Sequence, residues 1–353
     1  MPLMVGIGFV FGVVLLYVVF HYYFIEKSTF FRWAVQGFVI FSAASWLFWT
    51  FGKHVGTRGS RKLFRKMPLT AAFGIMTIIV YAVLSIFAGV LAPYGQEEIF
   101  DKINVLPGGD LAAGGDPRFL LGTDQLGRDL LSRLIYGGQN TVGIAFMTTI
   151  LAFLIGATFG FLAATLGGWF DQVVSRGVDA MMAIPQLIFA LLLLTIATAW
   201  AGSNKGLITL YMIVIIAVLD STRVFRLARA VGFNIVVMDY IEAAKLRGEK
   251  LSYLIFREIL PNAYAPLLAE FGLRFCFVFL TIAALSFLGI GIQPPLADWG
   301  TMVRDLSQFI NFAQFSPLTA ALPLMAAGAI ALLTVAVNFV VDWMLHQSSG
   351  LKD

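Results

Sequence analysis

Charge is what this chain has least of. Only 12% of its 353 residues are Asp, Glu, Lys or Arg, about half the share carried by soluble domains. So few ions cannot keep 59% apolar residues in water, and a soluble globular fold is excluded. Cysteine is nearly absent as well: Cys276 stands alone among Phe275, Phe277 and Val278, so no internal disulfide can form and the thiol reads as a small core residue. The three histidines, His21, His54 and His346, share no ligand spacing, and no metal site is expected. No Gly-x-x-x-x-Gly-Lys-Ser/Thr loop occurs; residues 56–62 hold Gly56, Gly59 and Lys62 and only look similar, without that spacing. Clustered His, Cys or paired acids at catalytic spacing are lacking too, which speaks against a membrane-embedded enzyme. Nothing alternates over about ten residues, which removes a transmembrane barrel. There is no internal repeat and no low-complexity tract.

What is present is a series of apolar blocks long enough for a helix rising about 1.5 Å per residue to cross about 30 Å of hydrocarbon. They fall at about 3–24, 33–51, 68–92, 141–165, 180–200, 206–220, 264–289 and 318–345, which predicts an all-α integral membrane protein of about eight spans. The fifth and sixth are the weakest, because a polar turn at 200–206 separates them and the sixth is short. The first block has no basic leading region and ends in bulky Phe20, His21, Tyr22, Tyr23 and Phe24, so it is expected to be a retained helix rather than a secretory signal.

Lys and Arg collect in short cytoplasmic loops. The linker 52–67 carries Lys53, Arg58, Arg61, Lys62, Arg65 and Lys66 with no acid, and the connector after the sixth block carries Arg223, Arg226, Arg229, Lys245, Arg247 and Lys250. Both are expected in the cytoplasm. The connector 93–140 is richer in acids and the one at 290–317 has only Arg304, so both are expected outside. Sides then alternate consistently, with both termini cytoplasmic. Beside two spans, the basic linker suits orientation and anionic lipid headgroups better than nucleic acid. Composition shifts near residue 67, dividing an extension (1–67) from a block of about six spans (68–353).

The connector reads Asp239-Tyr240-Ile241-Glu242-Ala243-Ala244-Lys245-Leu246-Arg247-Gly248 and continues to Arg257-Glu258-Ile259-Leu260-Pro261-Asn262. This predicts a surface helix, a sharp turn at Gly248, a second helical piece, and a proline where the next span begins. Two alanines beside a carboxylate can seat in a partner's cleft. The same pattern also fits an ordinary amphipathic helix on the membrane surface.

Glu242, Ala243, Ala244, Gly248, Ile259, Leu260, Pro261 and Asn262 resemble the EAA signature of importer-type ATP-binding-cassette permeases. That resemblance implies a coupling helix, within about 236–262, docked in a cytoplasmic ATPase subunit. Three further stretches resemble the second-subunit branch of the dipeptide, oligopeptide and nickel permeases, so the likeness spans roughly 68–345. One is 121–134, with Gly122, Thr123, Asp124, Gly127, Arg128 and Asp129. Another is 285–300, with Gln293, Pro294, Pro295, Trp299 and Gly300. The third is Arg176, Asp179, Ala183, Ile184 and Pro185.

These stretches also have readings of their own. Asp124, Arg128, Asp129 and Arg133 have the spacing of i,i+4 pairs if the segment is helical, which suits capping and surface pairing as well as docking of a binding protein. Gln293, Pro294 and Pro295 cannot continue a helix, so they are expected to end the seventh span and to form part of an outer gate or loop contact. Gly156 and Gly160 are a close-packing pair. Charges in spans are functional by default. Glu270 and Arg274, four apart in acid-before-base order, are therefore candidates for the pathway as well as for a simple bridge. Arg176, Asp179 and Pro185 are candidates for the pathway or for helix pairing, Asp179 suiting a structural pair with Arg176 at the cytoplasmic interface at least as well as a substrate contact, and Asp220 is expected to lie at a helix end beside Arg223.

Two departures from the family pattern stand out. Ile282 and Ala283 occupy places where members often carry an acid before the Leu-Ser-Phe-Leu-Gly run, and two spans precede the usual six. The resemblance implies a permease subunit without its own ATPase site or cofactor. It implies as partners a homologous second permease, two cytoplasmic ATPase subunits binding ATP and Mg, a periplasmic or extracellular substrate-binding protein, and the bacterial inner membrane. Peptides are the expected substrate. The alternatives are a nickel or other metal chelate, which the lack of clustered His, Cys or Met disfavours, and an ion-coupled secondary transporter.

Overall fold

The computed structural model describes residues 29–348, so the first expected span, 3–24, lies outside the described residues. Helices α1 (Thr29–His54), α2 (Arg58–Lys66) and α3 (Leu69–Ile86) are followed by a long irregular segment. Then come α4 (Leu130–Leu166), α5 (Gly168–Met182), α6 (Gln186–Ala201), α7 (Lys205–Val236), α8 (Asp239–Leu246), α9 (Leu260–Phe287), α10 (Trp299–Leu306) and α11 (Pro317–Ser348). No strand occurs among the described residues, only isolated bridges. Six helical segments are long and apolar enough to cross a membrane, and α5 with α6, bent by 91°, makes a seventh if counted as one span. Every expected block within 29–348 thus has its helix, and six of the seven follow residue 67.

Two boundaries differ from expectation, and both have a physical reason. α4 has 37 residues and begins at Leu130, about 55 Å of helix, so it outruns any bilayer core. α7 continues to Val236 instead of stopping near 220. Arginine is a good helix former, so Arg223, Arg226 and Arg229 change the surroundings of the helix without ending it. Pro185, which cannot continue α5, stands at the start of α6 where the chain bends.

Contacts divide the chain into two compact units: residues through Asn140 with Pro294–Trp343, and Thr141–Gln293 with the end of α11. In the first, α3 lies so close to α11 that a Cβ on Gly74 would strike the Ala336 carbonyl. The Tyr81 hydroxyl donates to Ala329 O at 3.0 Å, and Phe41 of α1 meets Phe73 edge-on. In the second, α7 is central. Gly156 and Gly160 of α4 face its Ser221–Arg229 backbone with no room for a Cβ, the close approach that small residues permit.

Candidate functional site

α8 begins after Met238, which gives no side-chain cap; Asp239 and Glu242 in its first turn and Lys245 in its last complement the helix dipole. Its end is a Schellman turn: Gly248 N–H donates to Lys245 O at 2.9 Å and Glu249 N–H to Ala244 O at 3.2 Å. Gly248 takes φ +79° there, with open space where a Cβ would point. Leu251–Tyr253 then runs through a π-helical stretch, Leu254–Ile259, into α9. In that stretch Leu260 N–H reaches back to Ile255 O, one residue further than in an α-helix. Such a bulge accommodates Pro261, which has no N–H to offer the ladder.

One face of α8 is spoken for. Ile241 and Ala244 are fully buried, and Ile241 packs with Phe161, Ala228, Ile235, Ile255, Ile259 and Ala263. Burying an isoleucine stabilises by about 1.5–3 kcal/mol, so α8 is held against both α7 and the start of α9. The other face is open. Glu242 and Ala243 are exposed, and Leu246 is 83% exposed. The alanine pair is therefore divided: Ala244 packs inward, so only Ala243 is offered outward. Leu260 is half-buried, while Pro261 and Asn262 are exposed.

A second cluster lies within the helices. Asp220, in the middle of α7, is completely buried. Gln186, the first residue of α6, donates to Asp220 Oδ2 at 2.6 Å. Arg274 of α9 brings Nη1 to 3.9 Å from Asp220 Oδ1 and Nε to 2.7 Å from Glu270 Oε1. The Arg274 guanidinium also lies 4.6 Å above the Phe277 ring. A neutral amide from α6 and one ion pair from α9 thus converge on a buried carboxylate of α7. Removing one partner of such a buried pair costs about 3–5 kcal/mol. Asp220 is not at a helix end, contrary to expectation, because α7 continues past it. Beside this cluster a hollow of about 120 Å³ opens at the bend, with Pro185, Gln186 and Arg223 in its wall.

Asp179 does not pair with Arg176. It meets Arg226 of α7 at 2.5 Å on an exposed surface, while Arg176 is exposed. Asp171, by contrast, takes a two-point contact from Arg229. On a helix, i and i+3 are neighbours, but the packing of α5 on α7 offers Asp179 a better-placed cation.

The segment 121–134 is mostly a turn and not a helix. Thr123 Oγ1 donates to Lys102 O and accepts from Val105 N–H. Asp124 accepts the Leu126 and Arg128 N–H groups and Arg128 Nε, the last at 2.7 Å, with Arg133 Nε at 3.7 Å. Asp129 does not pair with Arg133. It caps α4 through Ser132 N–H and Oγ at 2.8 and 2.6 Å. Gly122 and Gly127 occupy tight turns at positive φ.

α9 stops at Phe287, before Gln293, Pro294 and Pro295, and Ser286 Oγ accepts Ile292 N–H where the chain turns away. The Pro294-Pro295 bond is cis. Asp298 caps α10 at Thr301 N–H. Trp299 is buried, donates Nε1 to Leu134 O at 2.8 Å, and packs on Gly137, Gly138 and Tyr81. Gly300 is buried beside it. Gln96 Oε1 accepts both Asn140 Nδ2 and Ala297 N–H. Gln96, Asn140 and Gln186 had no signal in the sequence, since their partners come from distant segments.

A family profile described as "Binding-protein-dependent transport system inner membrane component" matches residues 156–348, which contain α8, its Schellman turn and the buried ion cluster. The Di/tripeptide transport system permease protein DppC of Pseudomonas aeruginosa is 35% identical over 240 residues, 68% of this chain and 76% of the relative. The Dipeptide transport system permease protein DppC of Haemophilus influenzae is 34% identical over 245 residues, 69% and 80%. The Glutathione transport system permease protein GsiD of Pectobacterium atrosepticum is 29% identical over 290 residues, 82% and 87%. With its spans, its braced surface helix and this coverage, the chain belongs to the binding-protein-dependent transport system inner membrane components, as a multi-pass permease subunit and not an enzyme.

Proposed function

We propose that this chain forms, with a homologous second permease, the translocation path of an ATP-driven peptide importer in the bacterial inner membrane. Two cytoplasmic ATPase subunits bind ATP and Mg, a soluble binding protein delivers substrate, and this chain carries no cofactor. Residues 68–353 are the transport domain and 1–67 an extension. Both termini face the cytoplasm, a reading supported by the basic residues of 52–67 and of 223–250. The observation that carries the reading is α8: its inner face is locked to α7 and α9 while Glu242, Ala243 and Leu246 are offered outward. A push on α8 from a closing ATPase pair is delivered to both helices at once. The peptide-transport names of the relatives support the substrate class.

The test is to purify the chain with its native partners, reconstitute the complex, and follow ATP hydrolysis on adding binding protein with peptide. Peptide-stimulated hydrolysis and ATP-dependent uptake are expected. Stimulation by a nickel chelate but not by peptide would reassign the substrate. Transport by the chain alone, without ATP, would overturn the importer reading.

A further inference from the structure

The bend between α1 and α3 does more than set orientation: it combines two features that one molecule could satisfy. From Lys27 to Gln96 the sequence contains no Asp or Glu. Into that interval fall Lys53, Arg58, Arg61, Lys62, Arg65 and Lys66, and among the described residues none of them has an acidic partner. At about 100° per residue, the five bases of α2 fall within about 140° of its circumference, and Phe64 lies outside that arc, about 60° beyond Arg61. The Phe64 ring meets Phe48 of α1 edge-on at 5.2 Å and lies over Gly52. Trp49 Nε1 donates to Met67 O at 2.8 Å, and Lys53 sits over the Trp49 ring. These contacts fix α2 against α1. Arg61 Nε is enclosed yet meets no acceptor among the described residues.

The second feature is apolar. An open groove of about 500 Å³ runs along the end of α1, lined by Leu47, Phe48, Thr50, Phe51 and His54. Phe48 belongs to both features, lining the groove and touching α2.

We propose that this hairpin is a binding site for one anionic phospholipid, whose phosphodiester is held by the bases of α2 and whose acyl chain lies in the α1 groove. Guanidinium groups suit phosphate oxygens in paired hydrogen bonds, and an unpaired basic face beside a span attracts acidic headgroups. α1 and α3 are both long and apolar enough to cross a membrane, which puts the bend joining them at headgroup depth and the groove at acyl depth. A free phosphate would fill only the first feature.

The test uses the full chain in its assembled complex and phosphatidylglycerol with a photoreactive acyl chain, against phosphatidylcholine with the same chain. Phosphatidylglycerol is expected to label residues 47–54 preferentially, and excess inorganic phosphate is not expected to displace it. Replacing three bases together (Arg61→Gln, Lys62→Gln, Arg65→Gln) is expected to weaken phosphatidylglycerol binding on the order of a hundredfold. Phe51→Gln should reduce acyl labelling with the bases intact, which keeps the proposal falsifiable if the triple variant inserts poorly. Equal labelling by both lipids overturns it, as does displacement by phosphate alone. Capture of residues 3–24, in place of lipid, by a photoreactive side chain at position 47 also overturns it. None of these readouts depends on transport.

Discussion

The segment 121–133 and the loop 239–249 both carry opposite charges at close spacing, yet they use them in opposite ways. In the first, Asp124, Asp129 and Arg133 are buried and their polar atoms go to backbone groups and to one another. In the second, Glu242 and Lys245 are exposed and have no ionic partner among the described residues. The first arrangement builds a rigid piece of chain, while the second leaves charge for something outside the chain to read. Residue type does not separate the two cases; burial does.

The largest effect should come from breaking the buried side. Asp124→Ala leaves Arg133 enclosed without its carboxylate, and a loss of about 3–5 kcal/mol in stability is expected, read as a lowered melting temperature in detergent. A loss under about 1 kcal/mol would mean that these charges are no more architectural than those of α8.

Gly248→Ala is the intermediate case. Nothing stands within 4 Å of the added carbon, so the strain is that of a left-handed backbone alone, about 1–2 kcal/mol. Gly248→Asn should lose less, because asparagine tolerates that region; equal losses would place the effect in packing instead.

The smallest effect is a pH dependence beside the first segment. Asp116 is held well below its ordinary value of 3.8 by hydrogen bonds from Arg118 and Lys102. A carboxyl depressed on folding stabilises fully above its unfolded value, and that contribution is lost as pH falls below it. Limited proteolysis of 93–129 should therefore be flat between neutral pH and about pH 5 and rise below, with Asp116→Asn showing little such rise.

How much of this could be read beforehand depended on whether the partners were local. The spans followed from apolar length, the turn at Gly248 from residue type, and the Glu270–Arg274 pair from an i,i+4 spacing. The position of Asp220 could not be read that way. The polar run Asp220, Ser221, Thr222 and Arg223 looks like the end of a span, and only Gln186 and Arg274, 34 residues before it and 54 after, provide a reason for it to be buried. Asp179 went to Arg226 rather than Arg176 for the same reason. At 121–134 the i,i+4 rule assumed a helix, and the turns at Gly122 and Gly127 removed that premise.

If α8 receives the ATPase stroke through its outward face, Glu242→Arg in the reconstituted complex should uncouple transport from ATP hydrolysis. The substitution is on an exposed site, so stability should change by no more than about 0.5 kcal/mol. Normal membrane insertion with loss of both uptake and peptide-stimulated ATP hydrolysis is expected; uptake and stimulation equal to those of the unaltered complex would mean that the outward face of α8 does not carry the stroke.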